Sequence, residues 1–317
     1  MTVLRQPLLA IAGSRRVKRL VTSAPISTGI VADYVPGETT AVAVGAAQRL
    51  IHDGLRVTIN CLGEDVTDPG RIAGTVATYH ELLGELATRG LARQTEVAVK
   101  LSAIGLGLDD PYRPSTASQD RAAENAHAIA TAARQAGTMM TLDMEKHTYL
   151  DATLSILREL RKDFPETGVA LLAYLHRTEA DCRSLSFDGS RVRLCKGAYA
   201  ETENVALRSR LNVDRSFVRC LKVLMAGHGY PMIATHDPRM IHIASSLASR
   251  NGRAAGSYEF QMLYGIRPEE QHRLASRGET TRVYIPYGDD WYGYLMRRLA
   301  ERPQNLSFVL KSLVSKK

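Results

Sequence analysis

The chain has 317 residues, 44% of them apolar, and a formal charge of +8 with histidine neutral. That length fits one large α/β domain or two average ones and excludes a chain too short or too polar to bury a core. The charge surplus is compatible with an anionic cofactor, an acidic membrane surface or nucleic acid, but it is modest and spread along the chain, so charge alone chooses none of them.

The first apolar stretch, PLLAIAG, is followed by Arg15, Arg16, Lys18 and Arg19, the wrong charge order for a secretory signal. No span approaches the roughly 20 apolar residues of a membrane-crossing helix. Residues 1–45 lack strong periodicity and read as an N-terminal arm or short helical leader. Four cysteines, Cys61, Cys182, Cys195 and Cys220, have neither CxxC spacing nor histidines at finger spacing, so neither a metal site nor a disulfide framework is expected. Reduced thiols in a cytoplasmic protein, touching a membrane only peripherally, are the simpler expectation.

From about residue 57 a short β-branched or apolar run alternates with a longer run of helical spacing. The strand candidates, in order, are VTINCLG (57–63), EVAVKLSAI (96–104), TMMTLDME (138–145), GVALLAYL (168–175), VRLCKGA (192–198), PMIATHD (231–237), YEFQMLYG (258–265) and TRVYIPYG (281–288). Helices are expected between them, for example over 119–136 before Gly137 and over 203–226 before Gly227. Eight strand–helix units predict a (β/α)8 TIM-like barrel over residues 46–317, preceded by the short helical arm, with no linker dividing it in two. An open doubly wound sheet is the alternative, disfavoured because no GxGxxG follows the first strand.

Barrel chemistry gathers at the C-terminal ends of the strands. Charged residues inside otherwise apolar strands cost free energy unless they are paired. Several are found here: Lys100, Asp143 and Glu145, Arg193 and Lys196, Asp237, and Glu259. Near the C-terminus, Tyr294, Arg297, Arg298 and Glu301 stand at i, i+3, i+4 and i+7, on one stripe of a helix. Two guanidinium groups framed by a tyrosine and a carboxylate could grip one small carboxylate. An ordinary surface helix with an Arg–Glu pair would show the same spacing.

Six segments, in order and at predicted strand ends, decide between those readings: VKLSA around Lys100, LDME around Asp143, RLCKGAY from Arg193 to Tyr199, ATHD from Ala234 to Asp237, YEFQMLYG, and RVYIPYG…WYGYLMRRLAERPQN. Together they resemble the proline dehydrogenases over nearly the whole barrel. The resemblance implies FAD as cofactor, oxidation of L-proline to Δ1-pyrroline-5-carboxylate, and the monofunctional form. Membrane quinone is the implied electron acceptor, at the inner face of the cytoplasmic membrane, and a separate pyrroline-5-carboxylate dehydrogenase would take the product. It further implies that Arg297, Arg298 and Lys100 grip the proline carboxylate, with Glu301 orienting the arginines. Tyr284, Tyr294 and Leu263 would pack on the ring, and Asp143 would hold Lys100 and a tyrosine.

For the cofactor it implies Arg193 beside flavin N5. Lys196, Gly197, Ala198 and Tyr199 would surround the ribityl chain and diphosphate, Thr235, His236 and Asp237 would lie near the adenosine half, and Gln261 would hydrogen-bond nearby. Three positions depart from the family pattern: Leu172 for a flavin-contacting glutamine, Ala200 for a tryptophan, and Asp237 for an asparagine. An aspartate there would repel a diphosphate unless it faces ribose hydroxyls or Lys196. Two rivals use fewer residues. An aldolase with a Schiff-base Lys100 or Lys196 leaves the arginine pair unexplained. A nucleic-acid or lipid binder is disfavoured because aromatics are only 6% of the chain and no basic run alternates with them.

Overall fold

The computed structural model describes residues 31–301, with side chains through Arg298. Eight parallel strands pair in chain order, and the eighth closes on the first. They are β1 (Arg56–Cys61), β2 (Thr95–Val99), β3 (Met139–Leu142), β4 (Gly168–Leu172), β5 (Arg191–Cys195), β6 (Tyr230–Ala234), β7 (Glu259–Leu263) and β8 (Thr281–Tyr287). Each lies within or beside its sequence-predicted run, and the closed ring rules out the open sheet.

Helix α1 (Thr40–His52) precedes β1, and α2 to α9 each follow one strand: Pro69–Thr88, Thr116–Ala136, Leu150–Asp163, Thr178–Ser184, Arg210–Ala226, Pro238–Arg250, Pro268–Ser276 and Trp291–Glu301. Most of the proposed N-terminal arm lies outside the described residues. Residue 45, drawn as its boundary, falls inside α1, which buries Ala43, Val44, Ala46 and Ala47.

Local chemistry sets the helix ends. Ser115 caps α3 by accepting from Ser118 N at 3.2 Å, and Gly137, at φ 81°, stops it. The helix expected over 203–226 begins only at Arg210. The residues before it are drawn into other pairings: Leu207 N donates to Tyr174 O at 2.7 Å, and Ala206 bridges Leu175. Ser209 then caps α6.

Strand alternation sorts the side chains. Val57, Ile59, Val97, Val99, Leu142, Leu194 and Ile285 are buried in the apolar core, and the residues between them carry the polar groups. Thr58, Glu96, Arg191, Arg193, Glu259, Gln261 and Arg282 are all buried as well. Contacts between them cross the interior, since Glu96 on β2 reaches Arg191 and Arg193 on β5. The barrel is therefore filled by paired charges where layers of branched aliphatics are more usual. Among the described residues, no helix is long and apolar enough to cross a membrane. The four cysteines are free thiols.

Candidate active site

The polar layer rises to the C-terminal mouth of the barrel. Arg193, near the end of β5, is 3% exposed, and each edge of its guanidinium is engaged. Nη1 donates to Asp143 Oδ1 at 2.5 Å, Nη2 to Glu96 at 3.0 Å, and Nε to Gln261 Oε1 at 2.6 Å. Asp143 follows β3 directly and also accepts from the Tyr284 hydroxyl at 2.6 Å. Burial, reinforced by that carboxylate, raises the phenol of Tyr284 well above its ordinary range, so it stays a donor.

The predicted link between Asp143 and the tyrosine is present, but its predicted link to Lys100 is not. Asp143 pairs with Arg193, and Lys100 pairs with Glu64. The reason lies in the first strand. Three residues beyond β1 the chain turns over the mouth, and Glu64 points between Lys100 and α9. Arg297 grips it with both arms, Nη1 to Oε2 at 2.9 Å and Nη2 to Oε1 at 2.7 Å, and the Tyr199 hydroxyl lies 3.4 Å from Oε1. Burial alone would raise this carboxyl, but Lys100 and Arg297 outweigh it and hold the group at about 2.

Glu64 was not singled out in the sequence, although an acidic residue just past a strand end fits the rule that flagged the others. Glu301, expected to orient the arginines, has its side chain outside those described. The stripe on α9 is otherwise as predicted. Tyr294 is buried, the Arg298 guanidinium stands 5.3 Å from its ring centre, and Arg297 lies 5.9 Å from the ring centre of Tyr199. Neither arginine points away into solvent: the Arg297 side chain is 22% exposed, and Arg298 acts electrostatically on Cys195 at the end of β5.

The loop carrying Glu64 is tied down at its neighbour. Asp65 adopts φ 51°, and its carboxylate accepts from Tyr149 at 2.7 Å and Lys146 at 2.9 Å. Its amide donates to Ser102 Oγ at 3.0 Å. Ser102 in turn meets Glu145, whose Oε2 accepts from the Ser102 amide at 3.1 Å. Glu145 is buried, and that burial pushes its carboxyl up to about 7 even though Lys100 and Ser102 pull it down.

The proposed cofactor residues form a second arc of the rim. Residues 195–199 are all half-buried. Gly197 has φ 108°, and a Cβ there would lie 2.0 Å from Tyr174 Cδ1, so the backbone at this point must be bare. Asp237 faces Lys196 Nζ at 3.1 Å, one of the two arrangements expected of an aspartate here, and Asp214 shares that ammonium at 2.5 Å. Asp237 also caps α7. Thr235 Oγ1 accepts the Asp237 amide at 3.1 Å. The His236 ring is committed to structure, its Nε2 accepting from the Leu263 amide at 2.9 Å. Gln261 spans Arg193 and Glu259, donating to Glu259 at 2.6 Å. Leu263 ends β7, half-buried, and Leu172 ends β4, buried. Ala198 sits between Gly197 and Tyr199 on the same arc.

This geometry is a barrel mouth with a cationic fork and a bare backbone arc that meet where Tyr199 approaches Glu64 and Arg297. A family model described as proline dehydrogenase matches residues 43–311. The chain is 36% identical over 283 residues to proline dehydrogenase 1 of Bacillus subtilis (strain 168), covering 89% of this chain and 90% of that protein. It is 35% identical over 283 residues to the proline dehydrogenase of Deinococcus radiodurans, covering 89% of each. Against the bifunctional protein PutA of Escherichia coli it is 27% identical, the match taking in 87% of this chain and 23% of that one. In fold it is similar to a crystal structure of proline utilization A from Bdellovibrio bacteriovorus, with TM-score 0.79 and 23% identity, covering 92% of this chain and 34% of that one. Both the extent of the family match and the identity to relatives of nearly its own length lead to one conclusion: the chain belongs to the proline dehydrogenase family.

Proposed function

We propose that the protein is a monofunctional FAD-dependent proline dehydrogenase that oxidises L-proline to Δ1-pyrroline-5-carboxylate, the first step of proline catabolism. The observation that carries this reading is the treatment of Glu64. The mouth already holds one carboxylate through a bidentate guanidinium and an ammonium, and the same donors suit the carboxylate of an amino acid. With Arg298 adjacent, the substrate's acid group would be fixed and its ring left little freedom. Tyr284, Tyr294 and Leu263 would wall the ring off from water, which strengthens every charge interaction inside.

Bound FAD would supply the oxidant, a hydride acceptor for proline C5; the ring nitrogen, already deprotonated to the neutral amine, would supply its lone pair to form the iminium, which gives the imine on losing its N–H proton to water. The chain's residues suit such a group. Arg193 presents a permanent charge at the mouth, where it would stabilise negative charge gathering beside it. The bare backbone at Gly197 allows close approach of a phosphate, beside Lys196, Ala198 and Tyr199. Thr235, His236 and Asp237 lie at the end of the neighbouring strand, and Gln261 braces Arg193.

We assign electron delivery to membrane quinone by a protein lying at the inner face of the cytoplasmic membrane, with a separate pyrroline-5-carboxylate dehydrogenase consuming the product. The aldolase alternative needs an uncharged, desolvated lysine. Lys100 is paired with Glu64, and Lys196 with Asp214 and Asp237. The test is a visible spectrum of the purified protein before and after anaerobic addition of L-proline. Flavin absorption that bleaches with proline supports the reading; a colourless protein, or a flavin that proline leaves oxidised, refutes it.

A further inference from the structure

Beneath Arg193 lies a charged layer that substrate binding does not use. Arg191 and Arg193 stand two residues apart on β5 and therefore on the same, inward face. Two guanidinium groups so placed repel one another in a medium with little water. Glu96, fully buried on β2, reaches across the barrel to hold both. Its Oε2 accepts from Arg191 Nη2 at 2.6 Å, and its Oε1 accepts from Arg193 Nη2 at 3.0 Å and from the Thr58 hydroxyl at 2.8 Å. Burial disfavours a charged Glu96, but the surrounding arginines, Arg282 first and then Arg191 and Arg193, outweigh it and keep the carboxyl ionised.

Stability alone does not explain such a layer, because replacing buried ion pairs with well-packed apolar side chains is often neutral or stabilising. Its geometry has a direction. Arg193 reaches the mouth with Asp143 on one edge and Gln261 on another, and Glu96 is the anion that meets it from below. The three arginines Arg191, Arg193 and Arg282 are balanced by the three carboxylates Glu96, Asp143 and Glu259: Glu96 joins Arg191 to Arg193, Asp143 pairs with Arg193, and the Arg282–Glu259 pair connects to them through Gln261. Removing the charge of Glu96 leaves one positive charge in excess directly beneath the mouth.

We propose that Glu96 is a positioning residue for the oxidation, holding Arg193 in place from inside the barrel and setting how much positive charge it presents to the flavin. This rests on the reading above, in which Arg193 lies beside flavin N5. With Glu96 ionised, part of the field of Arg193 is cancelled and the reduction potential of the flavin is held down. Arg191 acts oppositely, because it draws on the same carboxylate from the other side.

The experiment is spectroelectrochemical measurement of the flavin midpoint potential in the purified holoenzyme, with proline kinetics alongside. Glu96→Gln should shift the potential upward by at least about 30 mV, the tenfold change in equilibrium constant of a two-electron couple. KM for proline should change little, since Glu96 bonds to Thr58, Arg191 and Arg193 and to none of Lys100, Arg297 and Arg298. Arg191→Met should shift the potential downward, and because it leaves the contact between Glu96 and Arg193 in place it carries the test if Glu96→Gln does not fold. Shifts of opposite sign support the proposal. Lowered thermal stability with an unchanged potential, or shifts of the same sign in both variants, would overturn it. If the wild-type protein holds no flavin that proline reduces, the functional reading fails too. If wild type is reduced normally but the variants keep its potential, only the role of Glu96 fails.

Discussion

Replacing Arg297 by methionine tests the carboxylate fork directly. The substitution keeps a long, flexible side chain on α9 but removes both N–H groups that now hold Glu64 at 2.9 and 2.7 Å. Hydrogen bonds to a charged partner contribute about 1.5–3 kcal/mol each, so two would contribute about 3–6 kcal/mol to a substrate carboxylate in the same place. Two features of the structure pull toward the low end. The side chain is 22% exposed, so water screens it. Glu64 already occupies the donors and must share or yield them when substrate arrives. A net loss of about 3 kcal/mol corresponds to a rise in KM on the order of a hundredfold.

Lysine at the same position restores charge without the planar fork and should recover less than about tenfold of that loss. The assay is steady-state proline oxidation with an artificial electron acceptor, on variants shown by circular dichroism to be folded. A KM within about threefold of wild type in both variants would refute the fork.

Glu145 provides a pH test. Its carboxyl is raised from an ordinary value of 4.5 to about 7, so the protein is favoured while the group stays protonated, and that advantage is lost as pH rises through the interval between the two values. The penalty above pH 7 is about 3 kcal/mol, and Glu145→Gln should remove it, flattening denaturant-midpoint stability between about pH 5 and 8; an unchanged slope would contradict this. Gly197→Ala should strip flavin from the purified protein and lower its thermal midpoint, since φ 108° and a Cβ 2.0 Å from the Tyr174 ring cannot both be accommodated; the ratio of visible to ultraviolet absorbance reads the loss, and full occupancy at wild-type stability would count against the bare-backbone argument. Finally, kcat/KM for proline should rise with pH as the substrate ammonium loses its proton, because a protonated ring nitrogen has no lone pair with which to form the imine; a flat profile would show that proton loss does not gate the reaction.

Much of the architecture could be read from the chain alone because its causes are local. Strand periodicity, the left-handed stop at Gly137 and the stripe of Tyr294, Arg297 and Arg298 each depend on residues a few positions apart. The charges inside the strands mark the mouth from sequence alone, since unpaired charges there would be too costly to bury. Pairing was a different matter. Which acid meets which base depends on where closure of the ring brings distant strands. Glu64 reaches Lys100 across 36 residues and Arg297 across 233. Glu96 meets Arg193 across 97. No local pattern encodes separations of that size. Asp143 therefore turned from its expected lysine to an arginine, and Glu64, unmarked in the sequence, became a carboxylate held by the fork. Residues 203–209, expected to be helical, were drawn instead into contacts with the loop after β4. Short-range backbone preferences specified the eight units and their polar ends; barrel closure, a long-range event, decided how the charges were shared.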